Sequence, residues 1–284
     1  MKTLIILAGG ASTRMKSSQA SANVTAAEVA AANASAKCLI VLEGDKRPVL
    51  DYLIKQAAKA GVERVVLLTG FYNAAFKQWY DDAEFNQNAL GVQIDFAIQR
   101  IPEGRDKPHG TADALQQALE QLPELKEQEF LVSNSDNLYD KTAIKALLET
   151  EASNAFIAYD RAGLDFAEEK IARFALCRLG PNNELLEIVE KPQQALMHSY
   201  RDQAGTLRVS MNIFKFHGQD IYPYLVSCQE HPQRKERELP TALMNMIHQG
   251  GISLQGIPFK QHVPDLTTKE DIAIFKADII KTKN

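Results

Sequence analysis

Cysteine is scarce in this chain: Cys38, Cys177 and Cys228 are the only ones among 284 residues. Their number is odd and no C-x-x-C pair occurs, which favours reduced cytosolic thiols. Excess positive charge is missing as well, since 32 Lys and Arg stand against 36 Asp and Glu for a formal net charge of −4. That balance argues against nucleic acid as a partner, so phosphate recognition has to be local, built from a few cations and a metal. Long apolar runs are also lacking. The run Leu4 to Ala8 stops at Gly9, too short for an export core, and nothing elsewhere is long enough to span a bilayer, so a cytoplasmic location without a membrane partner is expected. The early glycines form neither a G-x-G-x-x-G fingerprint nor a P-loop, because no Gly-Lys-Ser/Thr follows them.

What is present is a 45% hydrophobic composition, enough to bury a large core. Short apolar runs alternate with helical patterns through the first half. Strands are expected near Thr3 to Ala8, Arg64 to Thr69, Val92 to Ile98, Phe130 to Ser133 and Ala155 to Tyr159. Helices are expected near Pro48 to Ala60, where Gly61 stands as the stop, Thr111 to Leu122 and Thr142 to Glu149. This alternation predicts an α/β fold, doubly wound, with a mostly parallel sheet and helices on both faces. Ligands in such sheets collect at the carboxyl ends of strands, where Gly9-Gly10 and Asp136 fall. After about Asp160 strand-like runs near Ile171 to Leu179, Leu185 to Val189 and Thr206 to Phe216 extend the sheet. Two helices follow, near Glu238 to His248 and Thr268 to Ile280.

The stretch Leu7-Ala8-Gly9-Gly10-Ala11-Ser12-Thr13-Arg14 is an anion site in outline. Glycines let backbone N–H groups turn toward a phosphate, and a guanidinium pairs with its oxygens in a fixed fork. Further along come Lys37 before Cys38-Leu39-Ile40-Val41, then Gly110-Thr111-Ala112, Ser135-Asp136-Asn137, Glu190-Lys191-Pro192, and Asp265 ahead of Thr267-Thr268. Taken singly these are unspecific: Lys37 reads also as a snorkelling side chain, Asp136 as a turn residue and Asp265 as part of a helix cap. In this order the set resembles the sugar-phosphate nucleotidylyltransferases over nearly the whole chain.

The resemblance implies a single nucleotidyltransferase domain, residues 1–284, with a nucleotide-binding half at 1–160 and a sugar-phosphate half at 161–284. Its reaction joins a nucleoside triphosphate to a sugar 1-phosphate and releases pyrophosphate. Asp136 and Asp265 would hold Mg²⁺. Arg14 would grip the β and γ phosphates and Lys37 would lie nearer the α phosphate, with Ala8, Gly9 and Gly10 forming the loop beneath. Gln99, Gly110 and Thr111 would read the base. Lys191 would pair with the sugar phosphate, Glu190 would accept from sugar hydroxyls, and Ser210 and Asn212 would lie beside the sugar. Hexapeptide repeats are absent, so no left-handed β-helix or acyltransferase activity is expected. Two other functions compete: cytidylyl or uridylyl transfer to a non-sugar phosphate, and a non-catalytic nucleotide-binding regulatory subunit. Base, sugar and oligomeric state are not fixed, and a homo-oligomer stays open.

Departures from the family plan cluster at the site. Ser12 stands where a loop glycine is usual, Ala175 replaces a glycine beside the sugar, and Asn212 sits where many relatives have glycine. His109 has no chemical duty and reads as structural. Residues Ser17 to Ala36 form an Ala-, Ser- and Asn-rich insertion with little apolar surface, expected to be mobile in the empty protein. Within it Thr25-Ala26-Ala27-Glu28 is a capping box flanked by Val24 and Val29, which predicts a short helix through Asn33. The segment reads either as a lid over the triphosphate or as a tolerated surface insertion.

Overall fold

The first strand, β1 (Thr3–Leu7), is buried from Thr3 to Ile6, as a run of leucine and isoleucine inside a parallel sheet should be. The computed structural model describes residues 1–172, 174–189 and 194–283. It adds β2 (Arg64–Gly70), β3 (Gln93–Gln99), β4 (Glu129–Asn134), β5 (Ala155–Asp160), β6 (Leu176–Leu179), β7 (Leu185–Val189), β8 (Arg208–His217) and β9 (Gln255–Phe259). The sheet order is β3-β2-β1-β4-β8-β5-β9, with β3, β2, β1 and β4 parallel and β8 antiparallel to both of its neighbours. β9 runs parallel to β5, and β6 pairs with β7 and with the start of β8. The sheet is therefore mostly parallel and mixed.

The helices are α1 (Thr13–Ser17), α2 (Ala26–Ala34), α3 (Leu50–Ala60), α4 (Ala74–Tyr80), α5 (Ala83–Phe85), α6 (Thr111–Gln121), α7 (Lys141–Glu149), α8 (Glu168–Ile171), α9 (Gly218–Val226), α10 (Leu239–Gly250) and α11 (Glu270–Lys283). Two separate cores form because side chains alternate along each strand. Leu4 and Ile6 face α3, α7 and α11, whereas Ile5 and Val66 face α6, α9 and α10. Each fully buried aliphatic side chain contributes roughly 1.5–3 kcal/mol, so both faces demand a helical cover. Among the described residues no helix is long and apolar enough to cross a membrane.

Several elements depart from the expected pattern. The run from Ile171 is not one strand: α8 ends at Ile171 and β6 begins only at Leu176. Glu168-Glu169-Lys170 are good helix formers, and the acidic pair suits a helix start. Strand β9 and helices α4 and α9 had no clear periodic signal. Gly256 and Pro258 interrupt β9, and Pro223 lies inside α9, so local breakers hid elements that tertiary packing sustains. Strand order reverses between β1 and β4, which opens a crevice at their carboxyl ends.

Candidate active site

That crevice holds a cavity of about 490 Å³, lined by the loops after β1 and β4. Ala8, Gly9, Gly10, Arg14, Lys37, Gln99, Gly110, Thr111 and Asp136 all line it, although they come from five separate stretches of chain. The N–H of Ala8 closes the strand on Leu68 O at 2.8 Å, while those of Gly9, Gly10 and Ala11 donate to no described residue. Unpaired N–H groups beside an arginine form an anion-binding concavity. Met15, fully buried, anchors α1 so that exposed Arg14 stands at the rim.

Ser12 adopts the conformation a glycine would take, φ 53 and ψ 32, and its Oγ accepts the Lys37 N–H at 3.2 Å. This bond ties the loop across the insertion to the residue that follows it. Lys37 opens a 3₁₀ turn, Lys37–Leu39, instead of a strand, and its ammonium donates to Asp136 Oδ2.

Asp136 and Asp265 approach each other through an antiparallel bridge between Asn137 and Asp265, closed by Leu266 N to Asp136 O at 2.8 Å and Leu138 N to Pro264 O at 3.0 Å. Asp265 is fastened by Thr267 Oγ1 at 2.8 Å, Asn137 Nδ2 at 3.2 Å and the Lys170 ammonium at 3.0 Å. Burial, and then the charge of Asp136, hold the Asp265 carboxyl above its ordinary range. Two such carboxylates fit a hard divalent cation that completes its shell with phosphate and water. No group of three His, Cys, Asp or Glu able to hold a metal occurs among the described residues.

The two halves of the chain meet here, since Glu236, Glu238 and Thr267 also line the cavity, with Lys107 and Pro108. Of these, Glu236, Glu238, Lys107 and Pro108, together with Lys170, lay outside the motif pattern. At Gly110, φ is 102 and a Cβ would overlap the Arg237 carbonyl, which accepts the Ala112 N–H at 2.9 Å. Thr111 Oγ1 in turn accepts the Leu239 N–H at 2.9 Å. Part of the helix start offered to a base is thus occupied by the turn before α10. His109 is structural, with Nε2 at 2.6 Å from Glu230.

A nucleotidyl transferase family model matches residues 3–257. The chain belongs to that family. It is 26% identical over 157 residues to the UTP--glucose-1-phosphate uridylyltransferase AglF of Haloferax volcanii, covering 54% of this chain and 56% of the relative. With the bifunctional protein GlmU of Methanococcus maripaludis it shares 25% identity over 213 residues, 74% of this chain and 43% of that protein. With a glucose-1-phosphate adenylyltransferase of Clostridium novyi it shares 21% identity over 294 residues, 99% of this chain and 67% of the relative. The chain spans about half the length of the first two.

Of the residues expected beside the sugar, only some are described. Glu190 and Lys191 lie outside the described residues. Ser210 and Asn212 do not line the cavity; they sit where β8 passes its register shift against β5, between the Phe156 and Ala158 pairings. Asn212 has φ 57, a conformation that glycine adopts freely and that asparagine is among the few side chains to tolerate. Ser210 Oγ accepts the Asn212 N–H at 3.2 Å, and the Tyr139 hydroxyl donates to Met211 O at 2.7 Å. Ala175 O accepts the Ser210 N–H at 3.2 Å.

The insertion is docked, contrary to the expectation of a mobile lid. Its capping box is complete, α2 extends to Ala34, Ala32 is fully buried and Val24 is nearly so. Glu28, 1% exposed, accepts from Glu43 N at 3.0 Å and pairs with Lys276 of α11 at 3.2 Å. Of residues 17–36 only Ala36 lines the cavity. Alanine methyls and one buried carboxylate supply a hold that composition alone did not reveal.

Proposed function

We propose that this protein transfers a nucleotidyl group from a nucleoside triphosphate to a sugar 1-phosphate. The reading rests on one observation: a single cavity joins a loop whose N–H groups donate to no described residue, Arg14, Lys37 and Asp136, and the Asn137–Asp265 bridge sets Asp265 next to Asp136. A sugar-phosphate oxygen attacks the α phosphorus, the bond to the β-phosphate bridging oxygen breaks, and pyrophosphate leaves. The nucleophile is already anionic, so charge neutralisation and in-line placement do most of the catalytic work. Gly9, Gly10 and Arg14 hold the departing phosphates and Lys37 the α phosphate. Lys191 holds the sugar phosphate and Glu190 accepts from the sugar hydroxyls, both from the 161–284 half. Mg²⁺ bound by Asp136 and Asp265 would lower the repulsion between the two phosphates. Three free, buried cysteines suit a cytoplasmic setting.

Pyrophosphate release across a panel of triphosphates and sugar 1-phosphates tests the reading. Asp136→Asn is expected to keep the fold and lose about a hundredfold or more in rate, because a neutral amide holds Mg²⁺ poorly. Near-normal turnover in that variant overturns the assignment.

A further inference from the structure

Lys269, the residue before α11, is 4% exposed, yet no carboxylate pairs with it among the described residues. Its ammonium donates instead to two backbone carbonyls, Lys16 O at 2.8 Å and Ser18 O at 2.7 Å. Its N–H donates to Ser18 Oγ at 3.0 Å, and that hydroxyl donates in turn to Met15 O at 3.0 Å. All of these groups lie on the last turn of α1 or on its cap, Ser18. Carbonyls at a helix C-terminus lack partners within the helix, and a lysine that reaches them supplies one. Burying an ammonium is costly unless such acceptors meet it, so the side chain is held to this arrangement.

Helix α1 is short and follows directly on the loop of Gly9 and Gly10, so its placement sets that of Arg14. Two of its ties, buried Met15 and the bond from Lys37 N–H to Ser12 Oγ, lie beside the loop. The third, Lys269, comes from the 161–284 half. That half presents Asp265 just upstream, and the stretch between is fastened: Thr267 Oγ1 donates to Asp265 Oδ2 at 2.8 Å, while the N–H groups of Thr267 and Thr268 donate to Asp271 Oδ2 at 3.0 and 2.6 Å. Lys170 closes the same stretch by pairing with both Asp265 and Asp271. A connected set of bonds therefore runs from Asp265 through Lys269 to the helix that carries Arg14.

We propose that Lys269 is a positioning residue for the polyphosphate grip: by closing the end of α1 it sets Arg14 at the spacing from Asp136 and Asp265 at which one polyphosphate engages both. The inference rests on the nucleotidyl-transfer reading above and adds a residue that lies outside the motif pattern and does not line the cavity.

Calorimetric titration of the whole protein with inorganic pyrophosphate in the presence of Mg²⁺ is the test, since that probe carries neither base nor sugar. Arg14→Ala and Lys269→Met are each expected to weaken it about tenfold, and the double variant to be little worse than Arg14→Ala alone, because a grip already removed has no position to lose. Lys269→Arg keeps a cation within reach of the same carbonyls and is expected to recover most of the affinity. A lysine that merely holds the fold would lower the melting temperature and leave pyrophosphate binding by the folded protein unchanged, which overturns the proposal. A double variant weakened about a hundredfold, the product of two independent losses, overturns it as well. Ser18→Ala removes the hydroxyl tether without opening the core and is expected to weaken pyrophosphate about threefold. If Lys269→Met does not fold, unchanged binding in Ser18→Ala overturns the proposal in its place. Failure of the unaltered protein to bind pyrophosphate overturns the nucleotidyl-transfer reading together with this one, whereas binding that the Lys269 variants leave untouched overturns this one alone.

Discussion

Ser12 holds φ 53 and ψ 32, a conformation that costs an ordinary side chain about 1 kcal/mol relative to glycine. Its hydroxyl offsets this by accepting the Lys37 N–H, a bond of comparable worth. Ser12→Ala keeps the strain and loses the bond, so it is expected to lower stability by about 1–2 kcal/mol. Ser12→Gly removes both and should lie within about 0.5 kcal/mol of the parent. Both should raise the nucleotide KM, because Lys37 loses an anchor. Denaturant unfolding and initial rates separate these outcomes, and equal stability of the two variants would show that the serine carries no strain.

At the scale of elements, α2 shows how a segment of low hydrophobicity can still be held. Burial works against the Glu28 charge, yet N–H groups of Glu43 and Thr25, then Lys276, hold the carboxyl below its ordinary value of 4.5. A depressed carboxyl stabilises the fold above its unfolded pKa and loses that contribution as pH falls through its folded one. Glu28→Gln is therefore expected to cost about 1–3 kcal/mol at pH 7 and to flatten the loss of stability below pH 4.5. Shortening residues 17–36 should likewise lower the melting temperature. Unchanged melting would restore the lid, which hydrogen exchange with and without nucleotide would then reveal as protection gained on binding.

Across the whole molecule, the two substrates are assigned to different halves that share one sheet. Arg14→Ala is expected to raise chiefly the KM for the triphosphate and Lys191→Ala chiefly that for the sugar phosphate, by about tenfold or more for a lost charge-assisted contact. Separate KM measurements decide it, and a Lys191→Ala effect confined to the nucleotide would misplace the sugar subsite. Asp136 and Asp265 meet across an interval that no local pattern spans. Their double variant should be little worse than either single one, as expected for two ligands of one ion.

Much of the fold was legible in the chain itself, because parallel strands buried on both faces read as plain apolar runs. Strands β1, β2, β4 and β7, helix α6 and the capping box of α2 stand within a residue or two of where periodicity and capping place them. Gly9, Gly10, Arg14 and Asp136 were legible for a related reason: a strand end followed by small or acidic residues is a local event. Strand β9, the docking of α2 on α11, the contact of Lys170 with Asp265 and the wall from Glu236 to Glu238 were not legible. Each joins residues far apart in sequence, and its energy exists only once both partners are in place. The orientation of Gln99 belongs with them, since its sequence position supplies an amide but only Asp113, Gly110 and Gln117, brought around it by the fold, decide which end of that amide faces the cavity.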